Sequence, residues 1–357
     1  MSREQVYRHL VSGKSRGAGA SVARGVLAAM SPAYAVAVRL RNAGFDRGWR
    51  QVHELPRPVI SVGNLTVGGT GKTPVVAWLC ARLAGEGHRP AVLMRGYKAA
   101  PGEKGDEQRL LESMLGPDVP VEANPDRVAG ALAVLERRPD VSLFLLDDGF
   151  QHRRVRRDFD LVLIDATCPF GHGRVLPRGL LREPVAGLRR ASAVLITRSG
   201  LAGTDQVAEV QRTIATHTSA PVFTSDFTAA RLRDAAGGES ALPEAPLMPV
   251  CAIGNPEAFV ATVRSLGTRT VEPQVFADHH HYTDGDVARI RADADGAGAA
   301  VVTTGKDWVK LRDLWPGDAT PAIYVIDQQV SLSAEDEAGL LARIVAAVSK
   351  SGGPAAG

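Results

Sequence analysis

Apolar runs of four to six residues recur along the chain, each ending in a polar or glycine-rich turn. They are Pro58–Val62, Pro90–Met94, Val141–Leu146, Phe159–Ile164 and Ala193–Ile196, then Pro249–Ile253, Ala299–Thr303 and Ile323–Ile326. Helix-like segments separate them. Continuous apolar strands alternating with helices predict a parallel sheet covered on both faces, an α/β fold. The stretch between Gly200 and Pro246 is richer in Ala, Thr, Gly, Asp and Pro. A domain boundary is expected there. The expected organisation is 1–45 as an N-terminal apolar and basic helix, 46–200 as a first α/β domain, 201–350 as a smaller second one and 351–357 as a tail. Residues 1–20 read as a polar, mobile segment. From Ser21 to Leu40 the chain is apolar but interrupted by Arg24, Pro32 and Arg39, and no uninterrupted run spans a bilayer. Two readings stand: a helix lying in a membrane interface, flanked by Arg39, Arg41, Arg47 and Arg50, or a core-packed helix pair broken at Pro32. Two helix starts are legible: Asn124 as a cap with Pro125 at the first helical position, and Thr283 before Asp284 and Asp286.

The first strand runs into Gly63-Asn64-Leu65-Thr66-Val67-Gly68-Gly69-Thr70-Gly71-Lys72-Thr73-Pro74, with a helix expected from Pro74. Strand, glycine-rich turn and helix in that order make a phosphate-binding loop. Gly68, Gly69, Thr70 and Gly71 would present backbone N–H groups to an anion, and the helix N-terminus adds partial positive charge. Lys72 would reach the β- and γ-phosphates of ATP, and Thr73 would take a Mg²⁺ position. The strict motif has Gly where this chain has Thr66. Downstream, an apolar strand ends in Asp147-Asp148, and either carboxylate would serve that cation. Asp106-Glu107 reads as a group that orients or deprotonates an acceptor hydroxyl, or as a solvated acidic helix start. Arg127 and the run Arg153, Arg154, Arg156 and Arg157 read as phosphate or head-group contacts, or as a basic face. In Asp278-His279-His280-His281, adjacent histidines cannot all face one metal ion. One histidine beside a carboxylate at a strand end fits better.

Composition narrows the class. The 357 residues are 45% hydrophobic and 23% charged, as in an ordinary globular protein, and the net charge is +3. No alternation of basic and aromatic residues suggests a nucleic-acid surface. Cys80, Cys168 and Cys251 lie too far apart for a zinc site or a disulfide framework, which fits a reducing compartment. No signal peptide is visible.

Together the phosphate loop, Arg95-Gly96-Tyr97, Gly105-Asp106-Glu107, Asp147-Asp148-Gly149-Phe150-Gln151-His152 and Leu176-Pro177-Arg178-Gly179-Leu180-Leu181-Arg182-Glu183-Pro184 resemble the tetraacyldisaccharide 4′-kinase family of lipid A biosynthesis. Phe276-Ala277-Asp278-His279-His280 and Thr303-Thr304-Gly305-Lys306-Asp307 extend the resemblance, which covers about residues 20 to 350. Thr66 is itself typical of the family, whereas Arg178 and Gly305 depart from it. The resemblance implies a P-loop kinase domain plus a smaller α/β/α domain, the active site between them and an N-terminal helix at the membrane. It implies transfer of the γ-phosphate of ATP to the 4′-hydroxyl of an acylated glucosamine disaccharide 1-phosphate, on the cytoplasmic face of the bacterial inner membrane. It assigns Asp106 as catalytic base assisted by His279, Lys72 and Thr73 to phosphate and Mg²⁺, and Asp147 and Asp148 to the cation. Glu107, Arg127, His152 and Glu183 would support the site. The competing reading is a deviant-Walker ATPase acting on a protein partner. Such proteins carry Lys directly before the paired glycines, where this chain has Val67.

Overall fold

The computed structural model describes residues 3–96, 104–278, 280–316 and 321–351. Tyr97 and the loop to residue 103, His279 and the tail 352–357 lie outside them. The chain forms two compact units. One comprises Tyr7–Asp226 and Leu332–Gly357, the other Met1–Val6 and Phe227–Ser331.

The first unit takes in α1 (Arg3–Ser12) from Tyr7 onward and α2 (Ala18–Asp46), followed by β1 (Val59–Asn64), α3 (Lys72–Gly85), β2 (Pro90–Met94), α4 (Asp106–Leu115), β3 (Val121–Ala123), α5 (Arg127–Arg137), β4 (Leu143–Asp147), β5 (Phe159–Asp165) and β6 (Ala193–Thr197). The short α6 (Ser199–Ala202), α7 (Thr204–Ala215) and β7 (Val222–Arg233) follow. The strands lie in the order β7-β6-β5-β1-β4-β2-β3, and each neighbouring pair among them runs parallel. All residues of β1, β2, β4, β5 and β6 are buried, as their mostly apolar sequences lead one to expect. Val75, Val76, Leu79, Cys80 and Leu83 of α3 are fully buried. Each such aliphatic side chain contributes about 1.5–3 kcal/mol by leaving water.

Register places the chemistry. Val62 of β1 pairs with Asp147 of β4, so the phosphate loop and the aspartate pair emerge side by side from the same end of the sheet. β1 lies between β4 and β5, the switch in strand order where open α/β sheets bind ligands. Gly63 makes the close approach possible. A Cβ there would sit 2.6 Å from Phe150 Cβ and 2.7 Å from its backbone nitrogen.

The second unit is built on the far half of β7, then β8 (Glu239–Ser240), β9 (Leu247–Cys251), α8 (Pro256–Ser265), β10 (Gln274–Val275), α9 (Asp284–Gly296), β11 (Ala300–Thr304), α10 (Gly305–Leu311) and β12 (Ile323–Ser331). Strands β10-β9-β11-β12 run parallel, and β8 pairs antiparallel with Leu232–Arg233. Asn255 caps α8, and Thr283 and Asp286 form a reciprocal capping box on α9. The last helix, α11 (Ala334–Ser351), belongs to the first unit, where Asp336 accepts from the Thr224 backbone and hydroxyl.

Several sequence expectations differ from what is observed. Residues 3–12 form a docked helix: the Tyr7 hydroxyl lies 2.9 Å from the carbonyl oxygens of both Pro177 and Gly179. Proline does not break α2, which runs 29 residues through Pro32. An interior proline costs about 3 kcal/mol, and the packing of this helix offsets it. Ser31 donates to the carbonyls of Leu27 and Val175, and Tyr34 to that of Arg182. As one helix, α2 is long and apolar enough to cross a membrane by length and composition. Helix α5 is capped by Asp126, whose carboxylate accepts from Val128 and Ala129 N–H. Asn124 instead accepts from the Asp126 N–H, two residues too early to cap. Helix α3 starts at Lys72, so Pro74 sits in its first turn, where no N–H partner is needed.

Candidate active site

The phosphate loop is held open from inside by Asn64. Its Nδ2 donates to Thr70 Oγ1 at 3.0 Å and Thr66 Oγ1 at 3.3 Å, and its Oδ1 accepts from Lys72 Nζ at 3.3 Å. The departure at Thr66 thus has a use, since a glycine there would offer Asn64 no hydroxyl. From outside, the Thr197 hydroxyl donates to the Thr70 carbonyl at 3.1 Å and Arg198 Nη1 to the Gly69 carbonyl at 3.2 Å. Because a trans peptide aims its N–H opposite its C=O, fixing the Thr70 carbonyl also fixes the Gly71 N–H. Gly68 and Gly71 take φ values of 121° and 83°, which side chains rarely adopt. The result is an anion cradle at the N-terminus of α3.

The two aspartates have different roles. Asp148, at φ 55°, turns back to the loop, 3.4 Å from Lys72 Nζ and 2.7 Å from Arg182 Nη1. Burial would raise its pKa, but Lys72 and Arg182 outweigh burial and hold it at about 2. Asp147 is buried, and its Oδ1 has no hydrogen-bond partner among the described residues. Burial pushes it up to about 7, with Lys72 opposing and Asp148 and Glu107 reinforcing the shift. A buried carboxylate oxygen without a donor, beside a phosphate cradle, suits a hard cation. Among the described residues no group of three or more His, Cys, Asp or Glu could hold a metal alone. Mg²⁺ does not need one, since it takes one or two carboxylates and completes its shell with phosphate and water.

Asp106 and Glu107 open α4, and the charge of Glu107 reaches Asp147. Arg127 is buried, and its guanidinium feels both aspartates. Burial lowers its pKa, Arg95 adds to this, and the aspartates oppose it. His152 is driven down to about 4 by burial and then by Arg127, Arg154 and Arg157, so it is neutral at pH 7. Lys72, Asp147, Asp148, Glu107, Arg127 and His152 therefore gather around one loop. Glu183 is only 1% exposed. It accepts from Arg190 Nη2 (2.9 and 3.0 Å), Asn42 Nδ2 (3.1 Å) and Gln151 Nε2 (3.0 Å). Gln151 also donates to the Asn64 carbonyl at 2.8 Å, and Arg182 joins it to Asp148.

Sequence reading did not single out Asn64, Gln151, Arg182, Arg190, Thr197 or Arg198. Asn64, Gln151 and Arg182 stand inside quoted motifs, whereas Thr197 and Arg198 carry no local signal. The arginine run is a set of structural pairs: Arg153 with Asp46, Arg156 with Glu54, and Arg157 with Asp160. In the second unit, His280 Nε2 lies 3.0 Å from Asp286 Oδ2 and stacks on Phe276, and Lys306 pairs with Asp278 at 3.3 Å. This is a histidine beside a carboxylate. The site residue expected there, His279, is outside the described residues.

The sequence matches a known family. The family model described as tetraacyldisaccharide-1-P 4′-kinase matches residues 23–348. The chain belongs to the tetraacyldisaccharide 4′-kinase family. A relative of that name from Geobacter sulfurreducens is 38% identical over 340 residues, covering 87% of this chain and 91% of its own. One from Geobacter metallireducens is 40% identical over 316 residues, covering 80% and 88%. Among solved structures, the family member LpxK from Aquifex aeolicus in complex with ATP superposes with a TM-score of 0.72 at 30% identity, covering 91% of this chain and 99% of that one. The kinase fold and the α/β architecture expected from the sequence agree with these relatives.

Proposed function

We propose that the protein is a tetraacyldisaccharide 4′-kinase that moves the γ-phosphate of ATP to the 4′-hydroxyl of a tetraacylated glucosamine disaccharide 1-phosphate, giving lipid IV-A. The observation that carries this is the phosphate loop with its aspartate pair, in a chain matched to the family over almost its full length. Backbone N–H groups of Gly68 to Gly71 and the Lys72 ammonium would neutralise the triphosphate. Asp147 and Thr73 would hold Mg²⁺, with Asp148 beside them. When bound, that ion screens charge on the β- and γ-phosphate oxygens.

Asp106 is the proposed base. It would take the 4′-hydroxyl proton as the acceptor oxygen bonds to the γ-phosphorus and the β–γ bridging P–O bond breaks. ADP leaves with that electron pair. His279 is the proposed assistant to Asp106, on the resemblance of its motif alone. Arg127 supplies charge near the aspartates, neutral His152 offers a hydrogen bond without repelling Arg127, and Glu107 keeps the carboxylate environment negative. Glu183 positions Gln151 and so, through Arg182, Asp148.

A lipid substrate gives α2 a purpose. Val22, Val26, Met30, Val36 and Leu40 are 50–68% exposed along it. Helix α2 would bind the cytoplasmic face of the inner membrane as a peripheral anchor.

The test is transfer of γ-labelled phosphate from ATP to the tetraacyldisaccharide 1-phosphate in mixed micelles, comparing wild type with Asp106→Ala. Labelled lipid with wild type and a loss of several orders of magnitude in the variant is expected. Label that persists in the variant would move the base elsewhere. Steady ATP hydrolysis without lipid label would favour the deviant-Walker ATPase.

A further inference from the structure

Helix α1 lies outside the stretch matched to the family, which begins at residue 23, yet it is built onto the phosphate loop. Three links hold it. The Tyr7 hydroxyl reaches the Pro177 and Gly179 carbonyls. Arg178 Nη1 donates to the Val11 carbonyl at 3.0 Å. Val11 itself is only 2% exposed. The segment beneath it is tied in turn to the phosphate loop: Val67 N–H donates to the Leu180 carbonyl at 2.8 Å, and Arg182 N–H to the Leu65 carbonyl at 2.7 Å.

This docking delivers one side chain to the loop. The Arg8 guanidinium nitrogens lie 3.2 and 3.3 Å from where a Cβ on Gly68 would sit, and its central carbon 3.7 Å away. Gly68 is the first of the paired glycines, three residues before the glycine that precedes Lys72. A Cβ at position 68 would crowd the guanidinium, which would have to give by a few tenths of an ångström, and would strain a φ of 121°. The glycine therefore lets the guanidinium lie close against the loop.

On the kinase reading given above, we propose that Arg8 is an arginine finger supplied in cis, contacting the γ-phosphate of ATP during transfer. It makes and breaks no covalent bond. The acceptor oxygen joins phosphorus, the bridging P–O electrons leave with ADP, the hydroxyl proton goes to the base, and Arg8 neutralises charge building on the phosphoryl oxygens. A planar fork of N–H donors suits those oxygens better than an ammonium. Arginine fingers raise kcat by about 10³–10⁵-fold.

The experiment measures label transfer in mixed micelles by the full chain carrying Arg8→Ala, with kcat and the KM for ATP determined separately and guanidinium ion titrated back at low millimolar concentration. The expected result is a kcat about 10³-fold lower, a KM for ATP within threefold of wild type, and partial recovery with guanidinium. A kcat loss below tenfold, or a loss that guanidinium does not relieve, overturns the proposal. Arg8→Lys keeps the charge and the helix if the alanine variant misfolds. It should still lose tenfold or more in kcat, and wild-type turnover in it would equally overturn the finger. Wild-type transfer is the reference. Its absence would remove the kinase reading itself, whereas transfer retained by the variants removes only the role of Arg8.

Discussion

Replacing Glu183 by alanine should destabilise the protein strongly, and the structure gives the size. Glu183 and Arg190 are 1% and 11% exposed at their side chains and meet at 2.9 Å. Arg190 also stacks over Phe150, 4.3 Å from the ring centroid. Removing one partner of a buried pair leaves the other charge without compensation and costs about 3–5 kcal/mol. Asn42 Nδ2 loses the Glu183 carboxylate as its acceptor as well, whereas Gln151 Nε2 keeps the Asn64 carbonyl. For a unit of this size each kcal/mol lowers Tm by about 2–4 °C, so Glu183→Ala should lower it by roughly 6–20 °C. Circular dichroism melts of the nucleotide-free chain measure this. The double variant Glu183→Leu with Arg190→Met should lose less than Glu183→Ala, because neither charge is then buried alone. A melting point within 2 °C of wild type for Glu183→Ala would refute the claim that this carboxylate anchors the site, and so would a double variant worse than the single.

The remaining predictions concern charge, loop and surface. Asp147, raised to about 7 from an ordinary 3.8, binds its proton more tightly folded than unfolded. Its ionisation therefore costs stability that accumulates between about pH 4 and pH 7 and stays lost above. Asp147→Asn should raise Tm at pH 8 and leave it unchanged near pH 3.5, and a shift of equal size at both values would contradict this. Thr197→Val removes the hydroxyl that donates to the Thr70 carbonyl inside the fold. A lost buried hydrogen bond of about 1–3 kcal/mol should raise the KM for ATP roughly tenfold, and an unchanged KM would show that the loop needs no outer tie. Changing Val22, Val26 and Met30 together to Ser should release the protein from inner-membrane vesicles into the supernatant in a flotation assay, and unchanged flotation would remove the proposed role of α2.

What the sequence determined on its own was local and periodic. Unbroken apolar runs such as Leu161–Ile164 cannot face water on either side, so a parallel sheet sheathed by helices followed directly. Glycines before Lys72, and the aspartates ending an apolar strand, announced a phosphate site because that chemistry depends on a short stretch of backbone. Tertiary structure decided whatever depends on a distant partner. Pro32 reads as a helix breaker until packing against residues 175–182 offsets its cost. β7 lies in the stretch read as a boundary because its Thr, Ser and Asp residues hide the strand pattern, and pairing with β6 makes it one. Asp147 and Asp148 are adjacent and chemically identical in the sequence. Only the fold buries one without a donor and turns the other to Lys72 and Arg182, separating their pKa values in opposite directions. The same holds for Arg8, a residue in a polar leader by composition, which the docking of α1 brings against the phosphate loop.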